Sequence, residues 1–201
     1  METIEYHPLE PFLPPEAKIL LLGSFPPKKE RWSMEFFYPN FQNDMWRIMG
    51  LLFFADKYHF VDTGEEAVRK KLRRFDKQRI EAFCTEKGIA LYDTARAVHR
   101  LKDNASDKFL EVRQHTDIGA LLDQIPQCRT VITTGEKATQ ILAATMQCDE
   151  PPTGGHTGFT YNGRTYTFYR MPSSSRAYPL SVEKKAAVYS KVFSWCSEDF
   201  A

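Results

Sequence analysis

Two segments of the chain carry residues whose types and spacing suit chemistry. The first combines the turn Gly-Ser-Phe-Pro-Pro at residues 23–27, the aromatic run Phe-Phe-Tyr-Pro at 36–39 and the polar stretch Asn-Asp-Met-Trp at 43–46. The second is Met-Pro-Ser-Ser-Ser-Arg-Ala-Tyr-Pro at 171–179. Rigid turns present backbone N–H groups to phosphates, and an aromatic ring that stacks on a base contributes about 1–3 kcal/mol. Together these residues are typical of a site that handles a base flipped out of its stack.

Composition excludes several classes of protein. The chain has 201 residues, of which 42% are hydrophobic and 26% charged, as expected for one globular domain. No apolar run approaches the roughly 20 residues that span a bilayer, and the N-terminus lacks the pattern of a signal peptide. We therefore expect a cytoplasmic monomer with no membrane partner.

The cysteines and histidines do not indicate a metal site. Cys84, Cys128, Cys148 and Cys196 are far apart and form no Cys-x-x-Cys pair, and the five histidines are scattered. We expect no metal ion and no cofactor.

Strand and helix patterns alternate along the chain. Apolar or β-branched runs predict strands at residues 17–24, 89–93, 130–134 and 165–171, the last after a hairpin turn at 161–164. Periodic patterns predict helices at residues 43–54, 64–74, 76–87, 117–124, 136–146 and 181–196.

This order predicts an α/β fold in which residues 1–201 form a single domain. The domain is a three-layer α/β/α sandwich with a mainly parallel central sheet of about four strands, preceded by a proline-rich arm at residues 1–16. Ligands bind at the carboxyl ends of such strands, which selects the loops after Ser24, Asp93, Thr134 and Met171.

A basic stretch at residues 65–75 could supply a local contact to nucleic acid, because the net charge of the whole chain is only +1. Val68, Leu72 and Phe75 are spaced as the apolar stripe of a helix, with arginines and lysines on its other faces. A solvated helix with acids at its start and bases at its end explains the same pattern, since both suit the helix dipole.

The order of the motifs resembles the uracil-DNA glycosylase superfamily, in particular its mismatch-specific and hypoxanthine-DNA glycosylase branches. In those proteins a first strand ends in Gly-x-x-Pro, and an aromatic residue and (His/Tyr)-Pro follow. Asn-x-(Phe/Met)-Trp comes next, and a late strand ends in Pro-Ser-(Ser/Thr/Gly). This chain has these elements at residues 23–26, 36–39, 43–46 and 172–174, and residues 88–93 resemble a further block of the hypoxanthine branch.

The resemblance, which spans about residues 17–195, implies a monofunctional DNA glycosylase. Such an enzyme hydrolyses the N-glycosidic bond of a deaminated base, hypoxanthine or uracil, in base excision repair. The implied partner is double-stranded DNA with a damaged or mismatched base, and single-stranded DNA is also open. The implied reaction uses neither a metal nor a cofactor.

The resemblance also implies roles for individual residues. Asn43 holds the attacking water, with Asp44 as a second candidate. The residues that bind the base are Gly23, Ser24, Phe25, Phe36 and Thr134; Phe36 stacks on it, and N–H groups near Ser24 and Phe25 stabilise the departing anion. The residues that bind DNA are Pro172, Ser173, Ser174, Ser175, Arg176 and Tyr178; the serines contact phosphates, and Arg176 or Tyr178 enters the duplex.

Three positions depart from the family pattern. Phe25 stands where the mismatch-specific branch has asparagine and the most active uracil enzymes have aspartate. Met171 replaces a histidine of the most active branch, and Thr134 replaces an asparagine that often reads the base. These changes keep open a relative that binds damaged DNA without cutting it.

Other interpretations of the same residues remain. Asn43 could serve only as a helix N-cap. A serine hydrolase could use Ser24 or Ser174, although the chain has no Gly-x-Ser-x-Gly elbow. A nucleotide-binding domain could hold phosphates at Gly23 and Gly135, although it would lack a P-loop and a Gly-x-Gly-x-x-Gly element.

Overall fold

A computed structural model describes residues 3–101 and 109–193 of the chain. Its strands are β1 (Ile4–Tyr6), β2 (Ile19–Gly23), β3 (Ile89–Asp93), β4 (Ala95–Arg100), β5 (Leu110–His115), β6 (Thr130–Thr134), β7 (His156–Tyr161) and β8 (Arg164–Met171). Its α-helices are α1 (Met45–Phe54), α2 (Glu65–Arg69), α3 (Lys77–Glu86), α4 (Ile118–Gln124), α5 (Glu136–Met146) and α6 (Val182–Phe193), and Lys29–Arg31 forms a turn of 3-10 helix. Within these two ranges, no helix has both the length and the apolar character needed to cross a membrane.

The central sheet has the strand order β3-β2-β6-β8-β7. The first four strands are parallel, and β7 joins β8 as an antiparallel edge. Every residue of β2 and β3 is buried, as a continuous apolar run predicts for the middle of a parallel sheet. The α/β class and the mainly parallel sheet are therefore confirmed.

The fifth strand of the central sheet, β7, is joined to β8 by the predicted hairpin turn. Asn162 and Gly163 both have positive φ, +47° and +70°, as a two-residue type I′ turn requires. The prolines and glycines at residues 149–158 predict a loop before the turn, but the chain pairs with β8 from His156 onward.

The helices enclose the sheet within one core. Helix α3 packs on β3, α5 packs on β6 and β7, and α6 packs on β8 and α1. Buried side chains from the helices, such as Trp46, Ile80, Leu142 and Tyr189, belong to the same apolar cluster as the strands β2, β3, β6 and β8. This packing fixes the strand ends on which the candidate site is built.

A second sheet, with the strand order β1-β4-β5, was not predicted from the sequence. It is antiparallel and incorporates the N-terminal arm, which pairs Ile4 with His99 of β4. The buried cluster under this sheet consists of Ala95, Val98 and Leu110, so its strands lack a strong apolar signal. The polar stretch at residues 100–108 predicts a loop. Its first residue, Arg100, is the last residue of β4, and residues 102–108 lie outside the described ranges.

The predicted helix at residues 64–74 is wrong in length. Helix α2 covers only Glu65–Arg69, and Lys71 then adopts a left-handed φ of +53°. Phe75 is buried, but Val68 is 64% exposed and Leu72 38% exposed, so the expected apolar stripe does not form. The charged side chains around this segment leave it too little apolar surface to hold a longer helix against the core.

Candidate active site

The loops after β2, β3, β6 and β8 meet at one cleft of about 1010 Å³. Its walls come from residues 23–27, Asp93, residues 134–137 and residues 173–179, together with the aromatic and polar segment at 37–43. The four loops that the sheet topology selected thus border a single concave surface, the usual form of a ligand site at this edge of an α/β sheet.

Gly23 lies at the floor of the cleft, at the end of β2. A Cβ at this position would overlap the Oδ1 atom of Asp93 and would lie 3.5 Å from the hydroxyl of Tyr38. Glycine is therefore required because the carboxylate of Asp93 approaches the backbone there, whereas the Tyr38 hydroxyl would be in ordinary van der Waals contact. Ser24 and Phe25 follow on the same wall, with Ser24 buried and Phe25 half-buried.

Asn43 borders the cleft and is held from several sides. Its Oδ1 accepts a hydrogen bond of 2.9 Å from the N–H of Met45, which fixes the orientation of the amide. Its backbone carbonyl accepts 3.0 Å from the guanidinium of Arg47, and its backbone pairs with Ser175. The expectation that Asn43 is the N-cap is corrected: α1 begins at Met45, so Asp44 occupies the cap position.

Asp44 is 2% exposed and does not border the cleft. Its Oδ2 accepts 2.9 Å from the ammonium group of Lys185, which is fully buried, and its Oδ1 accepts 3.0 Å from Nε of Arg176. Lys185 also donates 2.8 Å to the carbonyl of Ser175. With both oxygens engaged by basic side chains, Asp44 joins α1, the loop after β8 and α6. This placement corrects the expectation that it could hold the attacking water.

Arg47 stabilises the loop that carries Asn43. It donates 2.8 Å to the carbonyl of Phe41, and its guanidinium lies 4.5 Å from the centre of the Phe41 ring. Burial lowers the pKa of Arg47, and the charge of Arg176 lowers it further. Although burial desolvates the guanidinium, it donates hydrogen bonds to two carbonyls of the loop that carries Asn43.

The aromatic run places different rings at the cleft than we expected. Phe36 is 5% exposed and packs against Phe12 and Trp46 in the core. The expectation that Phe36 stacks on a base is therefore corrected. The next residue, Phe37, borders the cleft but is only 4% exposed, so Phe25, which is half-buried, is the more accessible aromatic residue of the cleft.

Tyr38 and Thr134 face each other across the cleft floor. Their hydroxyl oxygens lie 3.3 Å apart, and Tyr38 has a positive φ of +50°, which is uncommon for a side chain of this size. Backbone strain of this kind persists where the surroundings impose it, often at functional sites. Thr134 borders the cleft, as expected, with its hydroxyl directed at Tyr38.

The loop at residues 172–178 is a rigid wall. Pro172 and Ser174 are buried, and the carbonyl of Pro172 accepts 2.8 Å from the hydroxyl of Tyr189. The hydroxyls of Ser173 and Ser175 accept hydrogen bonds from backbone N–H groups two residues later. The side chain of Arg176 remains 47% exposed beside Asp44, and Tyr178 borders the cleft.

A histidine from the N-terminal arm reaches the cleft floor, which the sequence did not indicate. The side chain of His7 is 1% exposed, and its Nε2 lies 2.9 Å from Oδ2 of Asp93. Asp93 is the last residue of a predicted strand, and the loop after it is one of the four that the sheet topology selected, which was a usable signal. His7 had no such signal, because it lies 86 residues away in the sequence.

No protein-family model matches the chain, and a search of curated proteins found no match. Solved structures do match. One is the solution NMR structure of a "putative Uracil DNA glycosylase" from Methanosarcina acetivorans, which superposes with a TM-score of 0.60 over 93% of this chain and 97% of that chain, at 20% sequence identity. The two proteins share a fold across nearly their whole lengths.

Proposed function

We propose that this protein is a DNA glycosylase that removes a deaminated base, hypoxanthine or uracil, from damaged DNA in base excision repair. The observation that carries the proposal is the position of Asn43. Its oriented amide borders a cleft at the carboxyl ends of four parallel strands, on a fold shared with the Methanosarcina acetivorans protein.

The reaction we assign to this cleft is hydrolysis of the bond between the deoxyribose C1′ and the base. The base leaves with the bonding electrons, and the sugar passes through an oxocarbenium-like state. A water molecule held by the Asn43 amide adds its oxygen to C1′, and its proton balances the charge of the departing base. The bond from Met45 N–H leaves the other lone pair of Oδ1 and the Nδ2 donors of Asn43 available for that water.

The turn after β2 provides the place for the base. Backbone N–H groups near Ser24 and Phe25 would stabilise the negative charge of the departing base, and each preorganised donor of this kind is worth about 10²–10³ in rate. Since Phe36 and Phe37 are only 5% and 4% exposed, we assign the stacking contact to the half-buried Phe25 on the cleft wall. Thr134 closes the opposite side of the floor.

The rigid loop after β8 would bind the DNA strand around the lesion, in double-stranded or single-stranded DNA. Ser173 and Ser175 border the cleft and are half-buried, which suits contacts to phosphates. Ser174 is 2% exposed, so we assign its contribution to the backbone rather than to its hydroxyl. Tyr178 is placed to fill the gap left by the flipped base, while the bond to Asp44 holds Arg176 at the rim.

The test is a glycosylase assay on labelled duplexes with one hypoxanthine, uracil, xanthine or mismatched thymine, in which alkali cleaves the abasic product. Asn43→Ala should lower base release by about 10²-fold or more, as expected when the group that orients the nucleophile is lost. Asn40→Ala is the matched control, because Asn40 borders the same cleft and likewise accepts a backbone hydrogen bond, from Gln42 N–H at 2.9 Å. It should change the rate less than about tenfold.

A second candidate function is recognition of damaged DNA without cleavage. Phe25 and Met171 favour it, because both are apolar and Met171 is 1% exposed, so neither supplies a polar group to the reaction. Tight binding to abasic duplexes without release of any base would support this candidate. Release that survives in Asn43→Ala would keep the enzyme and remove Asn43 from its mechanism.

A further inference from the structure

The cleft floor holds a carboxylate that the proposed reaction does not use. The side chain of Asp93 is 10% exposed, and its Oδ2 accepts the hydrogen bond from Nε2 of His7 at 2.9 Å. Its Oδ1 lies over Gly23. Within residues 3–101 and 109–193, no hydrogen bond reaches that oxygen.

An ionised oxygen in a nearly buried position is costly without a hydrogen-bond donor, and such groups are rare in folded proteins. The backbone around Asp93 is committed elsewhere: its carbonyl accepts 2.7 Å from Thr116, and the next N–H donates to Gly23. Asp93 borders the cleft, so a ligand bound there can supply the donor that Oδ1 lacks among the described residues.

The imidazole of His7, in the N-terminal arm, can donate a hydrogen bond to the Asp93 carboxylate in both of its protonation states. Nδ1 of His7 lies 2.9 Å from the carbonyl of Leu9 and 3.2 Å from its N–H. A neutral ring accepts from that N–H and a protonated ring donates to that carbonyl, and in either case an Nε2–H is available for Asp93. The bond to Asp93 is thus kept in both states, and the orientation of Oδ1 with it.

Deamination changes the base edge in the way that a carboxylate detects. Adenine N1 and cytosine N3 are hydrogen-bond acceptors. Their deamination products, hypoxanthine and uracil, carry a ring N–H at these positions beside a new carbonyl. An ionised carboxylate can only accept, so it binds the ring N–H and repels a ring nitrogen with a lone pair.

We propose that Asp93 is a specificity-determining residue that accepts a hydrogen bond from the ring N–H of the deaminated base through Oδ1, and that His7 is its positioning residue. This role rests on the proposed function, and it makes the substrates of the enzyme bases that carry an N–H beside a ring carbonyl. Guanine and thymine share that N–H, so Asp93 discriminates only against adenine and cytosine.

The experiment compares each base with its N-methyl form in single-turnover assays: hypoxanthine with 1-methylhypoxanthine, and uracil with 3-methyluracil. The methyl group replaces the hydrogen that Asp93 is proposed to bind. Since a hydrogen bond to a charged group is worth about 10- to 100-fold, the wild type should cleave the methylated base slower by about that factor. In Asp93→Ala the unmodified base should slow by a similar factor, and the ratio between the two forms should fall close to one.

His7 is tested by rescue. His7→Ala should reduce the discrimination against the methylated base, and His7→Gln should restore part of it, because a glutamine amide can donate to Oδ2. His99→Gln is the matched control, since His99 contacts the arm at the Thr3 carbonyl, 3.0 Å away, but does not border the cleft. It should keep the wild-type ratio. Thermal unfolding of each variant identifies any loss of fold.

Two results would overturn the inference while leaving the proposed function intact. One is a wild type that releases both forms of the base at equal rates. The other is a folded Asp93→Ala variant that keeps the wild-type ratio, which would make the pair with His7 only a clamp for the arm. A wild type that releases no base from any unmodified substrate would instead refute the proposed function, and the inference with it.

Discussion

Replacement of Asp44 with alanine would leave the ammonium group of Lys185 buried, with the carbonyl of Ser175 as its remaining acceptor among the described residues. Lys185 is 0% exposed and Asp44 is 2% exposed, so water does not easily take the place of the carboxylate. Removal of one partner from a buried ion pair typically costs about 3–5 kcal/mol. The second partner, Arg176, is half exposed, and the loss of a surface pair adds at most about 1 kcal/mol. We expect Asp44→Ala to lower the free energy of unfolding by about 3–5 kcal/mol.

The assay is urea denaturation followed by tryptophan fluorescence, with the free energy of unfolding extrapolated to water. A loss of this size is a large part of the roughly 5–15 kcal/mol that stabilises a typical domain, so the midpoint should move far to lower urea. The matched control is the double variant Asp44→Ala with Lys185→Met. It removes both charges and keeps an apolar chain in place of the lysine, so it should recover most of the loss. Arg176→Ala alone should cost less than about 1 kcal/mol.

The reasoning would be refuted if Asp44→Ala lost less than about 1 kcal/mol, or if the double variant were no more stable than the single one. Either result would mean that Lys185 finds another partner and that Asp44 is not the centre of the junction. Asp44→Asn separates stability from chemistry, because it keeps the shape of the side chain. A folded Asp44→Asn variant should retain base release, whereas Asn43→Ala should not.

Two further predictions concern charge and burial. The guanidinium of Arg73 lies 5.7 Å from the ring of Phe41, whose neighbours in sequence, Asn40 and Gln42, border the cleft. Arg73→Gln should therefore remove one phosphate contact and flatten the slope of log affinity for DNA against log salt by about 0.9. Arg74 is already bonded to Asp62 at 2.7 Å, so Arg74→Gln should leave the slope unchanged. Burial raises the pKa of Cys128 to about 11, so iodoacetamide at pH 8 should leave this thiol unmodified in the folded protein and alkylate it in urea, as measured by peptide mass spectrometry; modification at equal rates in both conditions would contradict the burial.

The central sheet was predictable because its strands are buried on both faces. Such strands read as continuous apolar or β-branched runs, and β2, β3 and β6 match the predicted runs to within two residues. Gly88 directly follows the predicted helix at residues 76–87, and it has the left-handed φ of +63° that is typical of a glycine at a helix end. These features depend on local residue types, so a single sequence is enough to show them.

The accessory sheet and α2 were not predictable in the same way. Strands β4 and β5 each carry polar side chains at most positions outside the small cluster around Val98, so their strand pattern is weak. In the stretch around α2, a helical pattern was present but its apolar positions found no surface to cover, and Val68 remained exposed. Tertiary packing decided both segments, and their local sequence does not encode that packing.

Neighbouring residues in the site show the same limit at the level of side chains. Asn43 and Asp44 were both candidates for holding water, and only the fold shows that one borders the cleft while the other turns into the junction with Lys185. The aromatic residues show it too, since Phe36 packs on Trp46 in the core and the half-buried Phe25 borders the cleft. A motif locates the segment of a site, whereas the direction of each side chain depends on what packs behind it.

The strand order brings Asp93 and Thr134 to the cleft floor together, although the sequence pattern assigned a base contact only to Thr134. The order β3-β2-β6 places Asp93 and Thr134 on opposite sides of Gly23, so topology alone brings both to the cleft floor. The two side chains differ in their partners, which come from distant parts of the chain. The Tyr38 hydroxyl lies 3.3 Å from the Thr134 hydroxyl. His7 binds one carboxylate oxygen of Asp93, and the other has no hydrogen bond from the described residues. The accessory sheet brings that histidine there, because the backbone N–H of His7 donates 2.8 Å to a carbonyl of β4. The segment with the weakest sequence signal therefore positions the carboxylate on which the proposed base specificity depends.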